Sequence, residues 1–387
     1  MRCLFDTYKT SKKLESSYYG IKINVARLDG GEGLFGNNSI ASSVEDNIKC
    51  RKFIEKHFRE GSKSDVLNFD FYKDYFSNEN DENAFRHVHM VSLYLLGLWL
   101  QDAFWSQIEK SLSNIIMDKS WFDFSYTWFL TCLYHDTGSF IEKQIPDNLN
   151  EQMKQLSFWI GNENITYTIY NHTPCKENVH IPRFSEGLIK NYFYYRMDNG
   201  AKDHGIVSGY LLFSRLKENF LKKTQGQSLD SGGVYIDGLE WRKEHLDHFA
   251  YIADAIICHN LWTVSAQEKE KVDIYRKYGL NPLILSSKNE KLKFQDYPFQ
   301  FMLCLLDTIE PVKRFKGELS AREVLENVDI IASSKNEIII KWTDVIKLKK
   351  GYDEWRKSID SLEDWMDVEV SSCQREADCC GLTISIR

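Results

Sequence analysis

The chain has 387 residues and a mass of 45.4 kDa, enough for two or three domains and a sizeable core. With 43% hydrophobic and 27% charged residues, 6 Pro and 21 Gly, it excludes wholesale disorder and collagen-like or linker-dominated architectures, and it favours long helices. Lys and Arg number 49 against 56 Asp and Glu, a net charge of −7 that does not recruit a polyanion, and no block of Lys/Arg offers a local nucleic-acid patch.

The opening residues, MRCLFDTYKTSKKLE, hold no apolar core of signal-peptide length. Residues 1–83 read as an N-terminal segment with a strand-like run, Tyr18 to Leu28, and an amphipathic helix over Val44 to Phe58. Between them Gly31 to Gly36 (GEGLFG) matches G-x-G-x-x-G. A dinucleotide site would open its helix there and place an acid at a strand tip about 20 residues on. Asn37-Asn38-Ser39 follows instead and Glu55 falls mid-helix, so the run is read as a turn.

Residues 84–315 form a helical domain, with apolar residues at spacings of three and four in windows such as AFRHVHMVSLYLLGLWLQ and YPFQFMLCLLDTIEPVKRF. The longest strongly apolar run, Val91 to Leu100, is about half the ~20 residues a membrane span requires. An irregular stretch, 145–201, is too long for a plain connector and reads as a lid or binding insertion, in which Tyr192 to Tyr195 (YFYY) could stack on a base. Lys222 to Gly233 reads as an exposed loop. Residues 316–387 form a small α/β appendage: a helix over Ser320 to Val328 with a capping box from Ser320 to Glu323, a strand in EIIIKW, a helix over Thr343 to Met366 and a strand over Gly381 to Arg387. Nine cysteines form no CxxC pair, and Cys132, Cys258 and Cys304 lie in apolar runs as small hydrophobes. These features describe a mainly α, soluble, cytoplasmic protein with no membrane partner.

Five apolar helices each carry a His or Asp in or beside them. Arg86-His87-Val88-His89 opens one, Tyr134-His135-Asp136-Thr137-Gly138 closes the next, Asp203-His204-Gly205 starts a third, His259 ends a fourth and Asp307 lies within a fifth. An unpaired polar group in an apolar interior costs about 1–3 kcal/mol, and a carboxylate more. A lone histidine on an apolar face is usually a satisfied core residue. A shared divalent ion resolves the cost for the whole set, because imidazole and carboxylate suit Fe, Mn, Co and Zn.

In this order (His, His-Asp, His, His, Asp) the motifs resemble the HD-domain superfamily of metal-dependent phosphohydrolases, over residues 84–315. The resemblance implies a helical bundle holding one or two divalent ions (Mn, Fe, Co, Zn or Mg). One would be bound by His89, His135, Asp136 and Asp307, the other by His204 and His259 with Asp136 bridging. His87 and His89 each begin an apolar stripe, and the resemblance selects His89. Many members carry Lys where Ser139 stands, with Lys143 here one turn later, and paired histidines where Asn260 follows His259. His248 lies eleven residues before His259, either completing the second site or hydrogen-bonded elsewhere.

Three further residues are candidates for catalysis beside Asp136. Arg314, seven residues past Asp307, would share its helical face and meet a phosphate. Lys202 would add a second positive charge. Asp203 would orient His204 or act as a base, or else simply cap its helix. Glu310 reads as a pocket acid or as the partner of Arg314, and Gly205, Ser208 and Gly209 as a small-residue face for close helix approach. The expected activity is hydrolysis of a phosphate ester or anhydride of a nucleotide-like small molecule by metal-activated water, with the oligomeric state left open. The competing readings are a catalytically degenerate HD module for nucleotide sensing or protein assembly, and a dinuclear-iron oxygenase.

Overall fold

The computed structural model describes residues 3–11, 14, 16–18, 21–23, 84–113, 124–139, 183–200, 203–224, 233–236, 239–242, 244–286, 291–315, 318–334, 336–343, 350–376 and 379–387. The expected helix at Val44 to Phe58, the Gly31 to Gly36 turn, most of the 145–201 insertion, most of the Lys222 to Gly233 loop and Lys202 lie outside these residues. The elements in chain order are α1 (Leu4–Thr10), β1 (Ser16–Tyr18), β2 (Ile21–Ile23), α2 (Ala84–Ser113), α3 (Phe124–Tyr134), α4 (Glu186–Asp198), α5 (His204–Thr224), β3 (Val234–Ile236), β4 (Leu239–Trp241), α6 (Glu244–Cys258), β5 (Val264–Ser265), α7 (Lys269–Lys277), β6 (Ile284–Leu285), α8 (Pro298–Ile309), α9 (Ala321–Asn327), β7 (Val328–Ser334), β8 (Glu337–Thr343), α10 (Lys350–Asp360), α11 (Leu362–Trp365), β9 (Val368–Glu376) and β10 (Cys379–Ile386).

The architecture is mainly α, a helical bundle followed by a small sheet. At the centre is α3, whose described side chains are all buried, as expected of a helix that is apolar all round. It lies against α2 at Gly97, where an added Cβ would fall 2.0 Å from Nε1 of Trp128, and that indole donates to the Tyr94 carbonyl (3.2 Å). On the other side α5 and α6 approach each other through Gly205 and Gly209. A Cβ on Gly209 would sit 2.6 Å from the Ala253 carbonyl oxygen, so the expected small-residue face does bring two backbones together. Among the described residues, no helix is long and apolar enough to cross a membrane.

Helix α8 starts with Pro298 in its first turn and ends at Ile309, because Pro311 lacks an N–H and disfavours helix in the residue before it. The chain then makes a 3-10 turn over Val312–Phe315. This corrects the expected route to Arg314, which does not share a helix with Asp307.

In the C-terminal part the strands form an antiparallel sheet in the order β7-β8-β10-β9, with Ile330 opposite Ile340 and Leu382 opposite Ile340 on the other side. Strand β8 alternates buried and half-buried residues, and its inner face packs on α10 through Trp342 and Trp355, ring centroids 6.0 Å apart. The capping box from Ser320 to Glu323 starts α9. Strands β7 and β9 were not expected from the sequence. The sheet is tied to the bundle by Trp99 Nε1 donating to the Ile330 carbonyl (2.8 Å) and Trp355 Nε1 donating to that of Ile309 (3.1 Å). A parallel bridge pairs Leu292 with Met366.

Candidate metal centre

The six candidate ligands come from five helices and converge. His89 projects from the first turns of α2, His135 and Asp136 sit in the turn that ends α3, His204 opens α5, His259 follows α6, and Asp307 lies in the last turn of α8. His89, His135 and Asp307 form one group and Asp136, His204 and His259 a second, with the ligand atoms of each group within 4.8 Å of one another. In the first, His89 Nε2 lies 3.3 Å from His135 Nε2 and 3.1 Å from Asp307 Oδ1, and His135 Nε2 lies 3.5 Å from that same oxygen. Asp136 turns Oδ2 toward His135 (3.7 Å) and His89 (4.0 Å), and Oδ1 toward His204 (3.4 Å). One carboxylate therefore faces both groups.

Several features fit this set to a cation. Nδ1 of His135 donates to the Cys132 carbonyl (2.8 Å), Nδ1 of His259 to that of Ile256, and Nδ1 of His89 to the Glu310 carboxylate (2.8 Å). With Nδ1 carrying the proton, Nε2 presents a lone pair. Two such lone pairs face each other at 3.3 Å beside a carboxylate, which favours a shared positive charge. Donor atoms about 2.1 Å from an ion lie roughly 3.0–3.4 Å from one another, close to the spacings found. Gly138, after the His-Asp pair, seats the turn on α5: its N–H donates to Ser208 Oγ (2.7 Å), and a Cβ there would fall 2.3 Å from the His204 carbonyl oxygen.

Electrostatics sharpen the picture. Burial opposes charge on Asp307, but the Lys313 ammonium, which contacts its Oδ1, and then the imidazoles of His135 and His89 beside it outweigh burial and hold the carboxyl well below the usual range. Burial and then His135 push His259 down, favouring its neutral, ligating form. Burial and Lys313 also push His89 down, but Asp307 and Glu310 prevail and raise it.

The second group opens into a cleft of about 600 Å³, lined by Asp136, His204, His259 and Asp307 with the cations Lys313 and Arg314. Arg314 reaches this cleft from the 3-10 turn, and its Nε is shut from solvent with no hydrogen-bond acceptor among the described residues. Ser139 lines the cleft as well.

The remaining candidates sit elsewhere. His87 is half-buried and belongs to neither group. His248 is bonded to Thr127 Oγ1 (3.0 Å), not joined to His259. Asp203 is fully buried and caps α5, accepting from the Ile206 N–H (3.0 Å) and from Asn260 Nδ2 (3.2 Å), with Arg196 Nε 3.7 Å away; it does not line the cleft. In the YFYY run, Tyr192 and Phe193 are buried, and Tyr195 packs on Tyr275 and Tyr278.

Glu310, read from the sequence as a pocket acid or as the partner of Arg314, is the buried acceptor behind His89. Lys313, the cation on Asp307, escaped the sequence reading. The signal for both was Pro311, which turns the residues after Asp307 back onto the cluster.

Burial raises the Asp203 carboxyl to about 7. The folded chain then keeps a proton that the unfolded chain releases above about 4, so this group costs stability as pH rises from there to about 7. Asp203→Asn keeps an acceptor for the cap but stays neutral. Its melting temperature relative to wild type should climb between pH 5 and 7 and then level off; a flat difference in thermal melts would contradict the assignment.

No protein-family model, curated protein or solved structure matches the chain.

Proposed function

We propose that the chain is an HD-type, divalent-metal-dependent phosphohydrolase acting on a phosphate ester or anhydride of a nucleotide-like substrate. The observation that carries this reading is the meeting of six side chains, in the family's order along the sequence, as two adjoining groups faced by one carboxylate. His89, His135 and Asp307 would hold one ion and Asp136, His204 and His259 a second, and such ions supply Lewis acidity and an acidified water.

The protein's own groups account for the rest. Lys313 and Arg314 line the cleft beside Asp307 and would bind phosphoryl oxygens, Arg314 with its planar fork and Lys313 as a point charge. Glu310 fixes the ring of His89, and the Cys132 and Ile256 carbonyls fix those of His135 and His259, so the ligand atoms are aimed before any ion arrives. Asp203 supports Asn260 and the start of α5 from behind, as a positioning residue.

The test is elemental analysis of protein purified without chelators, together with a hydrolysis screen of nucleotides in Mn²⁺. One or two ions per chain and Mn²⁺-dependent product release are expected. Protein without metal that turns over nothing in the panel would end the proposal. The competing reading, a degenerate HD module, draws on Asn260, whose amide is engaged by Asp203 and Trp262 where a histidine could have added a ligand. Nucleotide binding that survives Asp136→Ala, with no hydrolysis by wild type, would favour it.

A further inference from the structure

We infer that Trp262 is a preformed stacking platform for a planar aromatic group, so that the cleft takes a nucleobase-bearing phosphate; this rests on the cleft being a phosphate site and specifies which phosphates it prefers. Trp262 is 55% exposed, more than Leu221 (47%) and Ile274 (43%), the other exposed large hydrophobics among the described residues. Leaving an indole in water forfeits the gain of burying it.

Exposed aromatic side chains are ordinarily mobile, yet this one is held on several sides. The Arg196 guanidinium covers one face of the ring at 4.2 Å from the centroid, and Nε1 donates to Asn260 Oδ1 (3.2 Å). Its backbone N–H donates to the Tyr192 hydroxyl (3.0 Å), and its carbonyl accepts from the Tyr275 hydroxyl (3.0 Å). The supports are themselves fixed: Asp203 takes the Asn260 amide and lies beside Arg196, which explains an acid buried behind the site.

The ring lines the same cleft as Asp136, His204, His259, Lys313 and Arg314. The cleft thus has a polar end that suits a phosphoryl group and an aromatic wall. Trp365 of α11 adds a second indole to that wall. A rigid indole has already lost its rotamer freedom, so a base stacking on it gains affinity without that cost. A docked protein would explain an exposed indole but not one set in the wall of a cleft lined by carboxylates, imidazoles and cations.

The experiment is calorimetry on the full chain in Mn²⁺. It compares the α,β-methylene diphosphates of adenosine, guanosine, cytidine and uridine, whose P–C–P bridge resists hydrolysis, with methylenediphosphonate, which has no nucleoside. At least one nucleoside form should bind about ten- to a hundredfold tighter than methylenediphosphonate. Trp262→Ala should erase that difference, and Trp262→Phe should keep most of it.

The platform is overturned if no nucleoside form gains over methylenediphosphonate, if none binds, or if Trp262→Ala leaves the difference intact. Hydrolysis is scored separately. Metal-dependent turnover with no base preference would remove the platform and leave the phosphohydrolase. A Trp262-dependent preference without turnover would keep the platform and remove the phosphohydrolase.

Discussion

Asp136→Ala is expected to cut the turnover of any nucleotide the wild type hydrolyses by about a thousandfold or more and to lower the metal content of the purified protein. Its two carboxylate oxygens face the two groups: Oδ2 lies 3.7 Å from His135 Nε2 and Oδ1 lies 3.4 Å from His204 Nε2. Its side chain is 19% exposed, so truncation opens no dry cavity, and the melting temperature of the metal-free protein should move by only a few degrees. Elemental analysis, kcat and thermal melts on the same preparation separate loss of ligand from loss of fold. An unchanged metal count with an unchanged rate would remove Asp136 from the centre.

Glu310→Ala carries the second large effect, and it falls on stability as well as on metal. This carboxylate is fully buried and accepts from His89 Nδ1 (2.8 Å), Ser92 Oγ (2.6 Å) and the backbone N–H groups of Val312 (3.0 Å) and Lys313 (3.3 Å). Truncation leaves those donors dry, at a cost of about 3–5 kcal/mol. Freeing the ring of His89 should weaken metal binding by about ten- to a hundredfold. Burial alone would raise the Glu310 carboxyl, but His89 and then Ser92 and Val312 outweigh it and bring it below the usual value. Its stabilisation is therefore full above about pH 4.3 and drains away as pH falls through the lower, folded value. Urea titrations at pH 7 should show the full gap between variant and wild type. The gap should shrink in acid, and one of equal size at both would refute the charge-based account.

Much of the bundle was legible because burial writes itself into helices at spacings of three and four: α2, α3, α5, α6 and α8 each overlap an apolar window read from the sequence, although α2 runs on to Ser113. The candidate ligands were legible for the opposite reason, as polar residues set in or beside apolar helices. What stayed hidden has physical causes. Strand β9 (VEVSSCQRE) borders the sheet, and its exposed Glu369, Ser371 and Ser372 dilute the alternation that marks a half-buried strand. Extending α8 past Pro311 put Arg314 on the face of Asp307, whereas the break lets Glu310 turn inward and Lys313 reach the acid. Trp262 was invisible as a site because composition treats tryptophan as core, and only the fold shows one fixed at a surface.

The parallel bridge from Leu292 to Met366 has a consequence for how this chain can be divided. Around it, the Leu292 N–H donates to the Trp365 carbonyl and the Asp367 N–H to the Leu292 carbonyl, both at 2.9 Å, which sets Ser361 and Trp365 into the wall of the cleft. A fragment cut after Phe315 would keep all six candidate ligands yet lose part of the cleft wall around them. The smallest unit with a complete cleft is therefore larger than the smallest unit able to carry the six polar residues.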